Sequence, residues 1–253
     1  MNALRQTTLD RRAPSGRSTW IRAKKLEAQY AARLRQIAKH IGDIVRGFDP
    51  RSFEGNLWIR VALEKYAQTI EPWARAVGAR MVAEVAHSER RAWLSRSVEI
   101  GRALHREIET TPIGEIVRQR LADQVTLIKS IPLEAAERVH ALTLEGIANG
   151  TRASEIAEDI MRQGEVSKSR ANLIARTEVG CTSAELTRAR ALHVGSTHFI
   201  WRAVMDADTR PSHRKLNGKA FAWDDPPECD PGHHALPGAI WNCRCWSEPI
   251  IPE

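Results

Sequence analysis

The side chains best equipped for chemistry crowd into the C-terminal end of the chain. Asp206 and Asp208 are followed by His213, then by Cys229, His233 and His234, and the series closes on Asn242-Cys243-Arg244-Cys245. Thiolates and imidazoles gathered in one small, loop-rich segment are the raw material of a zinc site, and zinc is the metal that such donors suit. His213, Cys243 and Cys245 supply three ligands in this reading, with Cys229 or one of His233 and His234 as the fourth. Cys243 and Cys245, two apart, project the same way from a strand, so both face a metal only if the chain bends locally. Two other readings stay open. One is a small sheet with a hydrogen-bonded His213 and buried thiols; the other is a disulfide joining Cys229 to Cys243 or Cys245.

Asp206, Asp208, His213, His233 and His234 also raise a metal-dependent hydrolase or nuclease, because oxygen and nitrogen ligands can hold an ion that activates water. No HExxH, phosphate-binding glycine loop or GxSxG elbow accompanies them. Aspartates flanking a turn are more often turn formers than ligands. A second group, Arg176-Thr177-Glu178, falls within a long helical pattern, where an Arg and a Glu serve mostly in ion pairs. No catalytic residue is expected.

The elements that must position these groups are mainly helical. Leu26, Tyr30, Leu34, Ile37, Ile41 and Ile44 form one amphipathic stripe over 18–46, closed by Gly47, Asp49 and Pro50. A second tract runs over 57–109, broken near Pro72. Pro112 restarts the helix, Pro132 opens another that closes at Asn149-Gly150, and Thr151 or Ser154 caps the next. A longer helix covers 167–193. At Gly195 the pattern changes. Residues 197–205 read as a strand, and Asn217-Gly218 is a hairpin signal leading into 220–223. Four prolines make 224–238 a loop, and 240–250 reads as a last strand. The fold class is mainly α with a small C-terminal α+β module, a helical body followed by a short-stranded antiparallel sheet. The domains are a flexible basic arm at 1–17, a helical body at 18–134 and the module at 135–253.

Charge divides the chain in the same sense. Residues 1–50 hold 11 basic and 4 acidic residues, whereas the remainder holds 27 of each, so the whole net charge of +7 sits in the first fifth. Arg11, Arg12, Arg17, Arg22, Lys24 and Lys25 are the candidate contacts to DNA phosphates or to an acidic protein surface. Few aromatic residues are interleaved with them, which disfavours single-strand recognition. No apolar run is long enough for a membrane span, the first 20 residues lack the apolar core of a secretory signal, and four cysteines in 253 residues suit a reducing compartment.

The ordered series Ala171 to Glu178, Trp201 to Asp206, Thr209, His213, Leu216, Gly218, Phe221 and Asn242-Cys243-Arg244-Cys245 with Pro249 resembles the phage Mu F-like minor head protein family over about 135–250. The resemblance implies a head-morphogenesis component of the virion, made in the host bacterial cytoplasm and placed in the capsid interior near the portal. It implies portal, major capsid or scaffold proteins as partners, packaged double-stranded DNA as a further contact, no membrane in the assembled head, and a role in DNA packaging or ejection. Arg176, Thr177, Glu178, Asp206, Thr209 and Asn242 match the family motif and are expected to be structural. Arg210 and Ile240-Trp241 stand where many relatives carry a Cys and a His-Pro pair, which removes two candidate ligands. The alternative function is a metal-dependent hydrolase or nuclease delivered with the phage genome.

Overall fold

The computed structural model describes residues 6–8, 17–100 and 111–252, with side chains described for 23–94 and 111–251. Its helices are α1 (Arg17–Arg46), α2 (Phe53–Thr69), α3 (Glu71–Ile100), α4 (Gly114–Ala148), α5 (Ala153–Met161), α6 (Gln163–His193) and the short α7 (Pro211–Leu216). The strands are β1 (Gln6–Thr8), β2 (His198–Arg202), β3 (Ala220–Ala222), β4 (Glu228–Asp230), β5 (His233–His234) and β6 (Trp246–Pro252). The fold is mainly α with a C-terminal α+β module. The chain separates into two compact units: 28–80 with 121–175, and 1–27 with 81–120 and 176–253.

The first of these units is built on apolar periodicity. Tyr30, Leu34, Ile37 and Ile41 of α1 are buried at the expected spacing, and Val45 rather than Ile44 completes the stripe. They share a core with Ile59 and Leu63 of α2, Ile128, Ile131 and Val139 of α4, and Ile160 of α5, all buried. Buried polar groups lie within it: the Tyr30 hydroxyl, for example, donates to Gln124 Oε1 at 2.8 Å. Ser52 caps α2 by accepting from the Gly55 N–H at 2.9 Å. Asn149-Gly150 closes α4 in a Schellman arrangement, with Gly150 at φ 65° and the Thr151 N–H reaching the Gly146 carbonyl at 2.8 Å.

Several sequence expectations are corrected here. Pro132 does not open a helix but lies buried inside α4, because the apolar stripe continues on both sides of it. Neither Thr151 nor Ser154 caps α5; Arg152 occupies the cap without a side-chain hydrogen bond, since the Schellman turn before it sets the entry. The helix expected to start at 167 begins at Gln163, and α2 begins at Phe53 rather than 57. The end of the tract expected to reach 109 lies outside the described residues.

In the second unit, α6 ends in another Schellman turn: Gly195 at φ 81° allows the Ser196 N–H to reach the Ala191 carbonyl at 2.9 Å. The sheet that follows has the order β1-β6-β2-β3, all pairs antiparallel. Gln6–Thr8, inside the segment expected to be a flexible arm, forms its edge strand against β6. The strand expected over 197–205 is only His198–Arg202. The one expected over 240–250 is Trp246–Pro252, so the cysteines precede it in irregular chain. Asn217-Gly218 is not a two-residue hairpin, because α7 is inserted between β2 and β3. Asn217 caps α7, and Gly218 at φ 82° turns the chain so that its N–H meets the Trp201 carbonyl at 2.8 Å. The proline-rich 224–238 segment contains the small β4–β5 ladder. Phe199, Trp201 and Trp223 form the aromatic centre of this unit's core, with Trp93, Cys229, Leu236, Cys243 and Cys245 packed in the same cluster.

Candidate functional site

Arg176, Thr177, Asp206 and His213 of the family motif converge on the segment Asn242 to Cys245. Asn242 adopts a left-handed φ of 57°, a conformation Asn tolerates better than most residues, and this supplies the local bend that a plain strand lacks. From α6, the Thr177 hydroxyl accepts the Asn242 N–H at 3.0 Å, and Arg176 Nη1 donates to Asn242 Oδ1 at 2.6 Å. Arg176 is itself held by Glu27 at 2.8 Å. One residue on, Cys243 points to His213. Arg244 then turns to Asp206 and donates to both carboxylate oxygens at 2.6 Å, a bidentate pair. Cys245 returns to His213. Asn242 and Arg244 thus tie the segment to α6 and to the β2–α7 loop, while Cys243 and Cys245 fasten it to α7.

The Asp206 loop is closed by its own bonds. Thr209 Oγ1 donates to Asp206 Oδ1 at 3.0 Å, and Arg214 Nε donates to the Thr209 carbonyl at 3.0 Å. Partial burial pushes the Asp206 carboxyl up, but the Arg244 guanidinium and the Thr209 hydroxyl outweigh it and hold the group below the usual range. Asp208 remains mostly exposed. Glu178, the last residue of the α6 motif, is buried and ion-paired with Arg120, which also reaches Glu185 at 3.1 Å. Burial opposes the Arg120 charge, and Glu178 more than offsets it. Breaking such a buried pair from one side leaves an uncompensated charge. Beside them, burial and then the Glu178 carboxylate push the Cys181 thiol up to about 12.

His213, Cys243 and Cys245 form a buried trio whose ligand atoms all lie within 4.8 Å of one another. His213 Nδ1 is 3.6 Å from Cys243 Sγ and 3.4 Å from Cys245 Sγ, and the Cys245 N–H points at Cys243 Sγ at 3.4 Å. The Cys245 thiol, donating to its neighbour, draws Cys243 down to about 4 against the effect of burial, with help from His213. Cys245 moves up, because a second thiolate beside Cys243 is opposed. The Trp201 ring stands edge-on to the imidazole, centroids 5.4 Å apart, and fixes its plane.

The remaining candidates are placed elsewhere. Cys229 is buried in the same core but outside the trio, its thiol donating to the His233 carbonyl at 3.4 Å. All four cysteines are free thiols, so the proposed disulfide with Cys229 is not formed. His233 and His234 are exposed on β5, and the structure does not bring them, Asp206 or Asp208 into one ligand cluster with His213. Of the basic contacts, Arg11 and Arg12 lie outside the described residues. Arg17 and Arg22 fall on α1 with undescribed side chains, and Lys24 and Lys25 are exposed on the same helix. Sequence reasoning missed Glu27 and Arg120, which anchor Arg176 and Glu178. Their partners are 149 and 58 residues away, and no local pattern marks them.

Residues 137–248 match the family model described as Phage Mu protein F like protein. The chain is 32% identical over 139 residues to an uncharacterized protein of Haemophilus influenzae, covering 55% of this chain and 30% of that one. It is 25% identical over 152 residues to Minor head protein GP7 of Bacillus phage SPP1, covering 54% and 49%. A third similarity, 30% over 130 residues, is to the NAD(+)–arginine ADP-ribosyltransferase EFV of Enterococcus faecalis, covering 47% of this chain and 26% of that enzyme. The chain thus spans half or less of the length of these relatives. No solved structure matches it. The match falls on the segment that contains the clamp around Asn242 to Cys245, so residues 137–248 of the chain are similar to the Phage Mu F-like family.

Proposed function

We propose that the chain is a non-enzymatic phage minor head protein, built into the capsid interior near the portal and acting in DNA packaging or ejection. The observation that carries this reading is the Mu F-like segment at 137–248, together with the similarity to the minor head protein of Bacillus phage SPP1. Its motif residues support a structural role, because Arg176 and Thr177 hold Asn242 and Asp206 holds Arg244. The arginine ADP-ribosyltransferase shares only the part of its length that this chain covers, and the activity in its name is said of that whole protein.

In this reading the portal contact falls to the exposed apolar side of α2. Phe53, Leu57 and Val61 recur every fourth residue on one side of the helix, Trp58 sits beside them, and all four are exposed. Packaged DNA or an acidic partner would meet the basic segment of residues 1–50. Among the described residues no helix is long and apolar enough to cross a membrane.

Deletion of this gene from an otherwise complete set of head genes tests the reading. Particles that assemble with unstable or missing DNA, or that fail to deliver it, are the expected result. Particles that package and infect normally would overturn it. Double replacement of Leu57 and Trp58 by Asp should reproduce the deletion while leaving the protein folded.

A further inference from the structure

We propose that His213, Cys243 and Cys245 bind a zinc ion that staples the Asn242-to-Cys245 segment to α7. In a tetrahedral site with Zn–S near 2.3 Å and Zn–N near 2.0–2.1 Å, neighbouring N and S donors stand roughly 3.6 Å apart. The two Nδ1–Sγ separations here are 3.4 and 3.6 Å. Two sulfurs converge on the one imidazole nitrogen. A metal ion uses all three donors at once. Each is at least nine-tenths buried: His213 at 2%, Cys243 at 5% and Cys245 at 9% exposure. The trio is therefore shielded from competing solvent, and a metal would meet it on the Nδ1 side of the ring.

The Cys245 N–H directed at Cys243 Sγ is the kind of backbone bond that stabilises a ligating thiolate. The Trp201 ring packs against the imidazole, centroids 5.4 Å apart. Two thiolates and one imidazole select zinc over magnesium or calcium, which require oxygen donors. On loading, the thiols release their protons to solvent and the two thiolate charges balance Zn²⁺. Cys229 stays out of the ligand set, since its thiol is directed to the His233 carbonyl. The staple acts where the backbone has little ladder of its own: residues 203–210 and 235–245 are turns and bends on either side of the trio. This inference is independent of any role in a phage head.

The full chain, produced with zinc in the medium and desalted, should carry one zinc per chain by atomic emission. All four of its cysteines should titrate as free thiols after denaturation and chelation. Cys245→Ser and His213→Gln should lose the metal, whereas Cys229→Ser should keep it. Because the first two variants could unfold, the wild-type chain is also stripped with a chelator and refilled with cobalt. A thiolate-to-cobalt charge-transfer band and a Tm that falls on stripping and returns with zinc are expected. No zinc and no cobalt band in the wild type would overturn the site. Metal lost equally in Cys229→Ser would overturn its three-residue composition, and a Tm indifferent to stripping would overturn the staple.

Discussion

The helical unit of residues 28–80 with 121–175 and the unit that carries the C-terminal sheet are held together by different physics. In the first, many aliphatic side chains at helical spacing share the load, with a few buried polar groups such as the Tyr30–Gln124 pair among them. In the second, a few aromatic rings surround a polar clamp in which every residue from Asn242 to Cys245 has a distant partner. A distributed apolar core tolerates change in proportion to the volume lost. A clamp of unique contacts fails at whichever contact is removed, and that contrast can be tested.

The largest effects should come from buried side chains. Trp201→Ala should cost about 3–5 kcal/mol and Ile131→Ala about 2–5 kcal/mol, measured by denaturant unfolding. The discriminating readout is hydrogen exchange. Trp201→Ala should release β2 and β6 while leaving α1 protected; uniform loss of protection from both variants would dissolve the contrast between the units. Glycines give a sharper test, with opposite signs. A Cβ at Gly180 would lie 2.7 Å from the Gly238 carbonyl oxygen, whereas at Gly42 the nearest atoms would be those at the end of the Arg46 side chain, at 3.2 Å. Gly180→Ala should therefore destabilise by about 1–3 kcal/mol, and Gly42→Ala should stabilise by about 0.5–1 kcal/mol. Thermal melts yielding the same sign for both would count against the close approach at Gly238.

A smaller, pH-dependent effect belongs to Asp206. Its carboxyl is depressed in the folded chain, so it contributes stability that is present above the ordinary value of 3.8 and lost as pH falls through the lower folded value. Asp206→Asn should lower Tm at neutral pH and flatten the acid limb of the Tm–pH curve, where the two proteins converge. Smallest of all should be the exposed pair Arg118–Glu115, whose side chains are 72% and 78% accessible. Arg118→Ala should stay within about 0.5 kcal/mol in either direction. A larger shift in the melt would show that surface pairs matter here as the clamp does.

The same contrast explains what could be read in advance. Helices α1, α4 and α6 are legible because burial every three or four residues leaves its period in the sequence, and Gly150 and Gly195 mark their ends with the φ only glycine adopts cheaply. Pro132 misleads, because the rule that proline starts a helix yields to the packing of the residues around it. Asn217-Gly218 misleads for a related reason: the dipeptide specifies a turn, and not what the turn connects. His213, Cys243 and Cys245 could be named from their chemistry, but three alternatives for them could not be separated by spacing.

Taken alone, the sequence determined the helical class, the change of grammar at Gly195, the confinement of the charge excess to residues 1–50, and the ordered motif that carries the family resemblance. These are local or cumulative properties, written in period, composition and order. Only the tertiary structure decided that Asn242 is held by Arg176 and Thr177, that Arg244 belongs to Asp206, and that Cys229 stays apart from the trio. Each of those contacts joins residues that sequence distance does not relate. Their pairing is set by how the helix, the loop and the final strand pack, and that packing leaves no period to read.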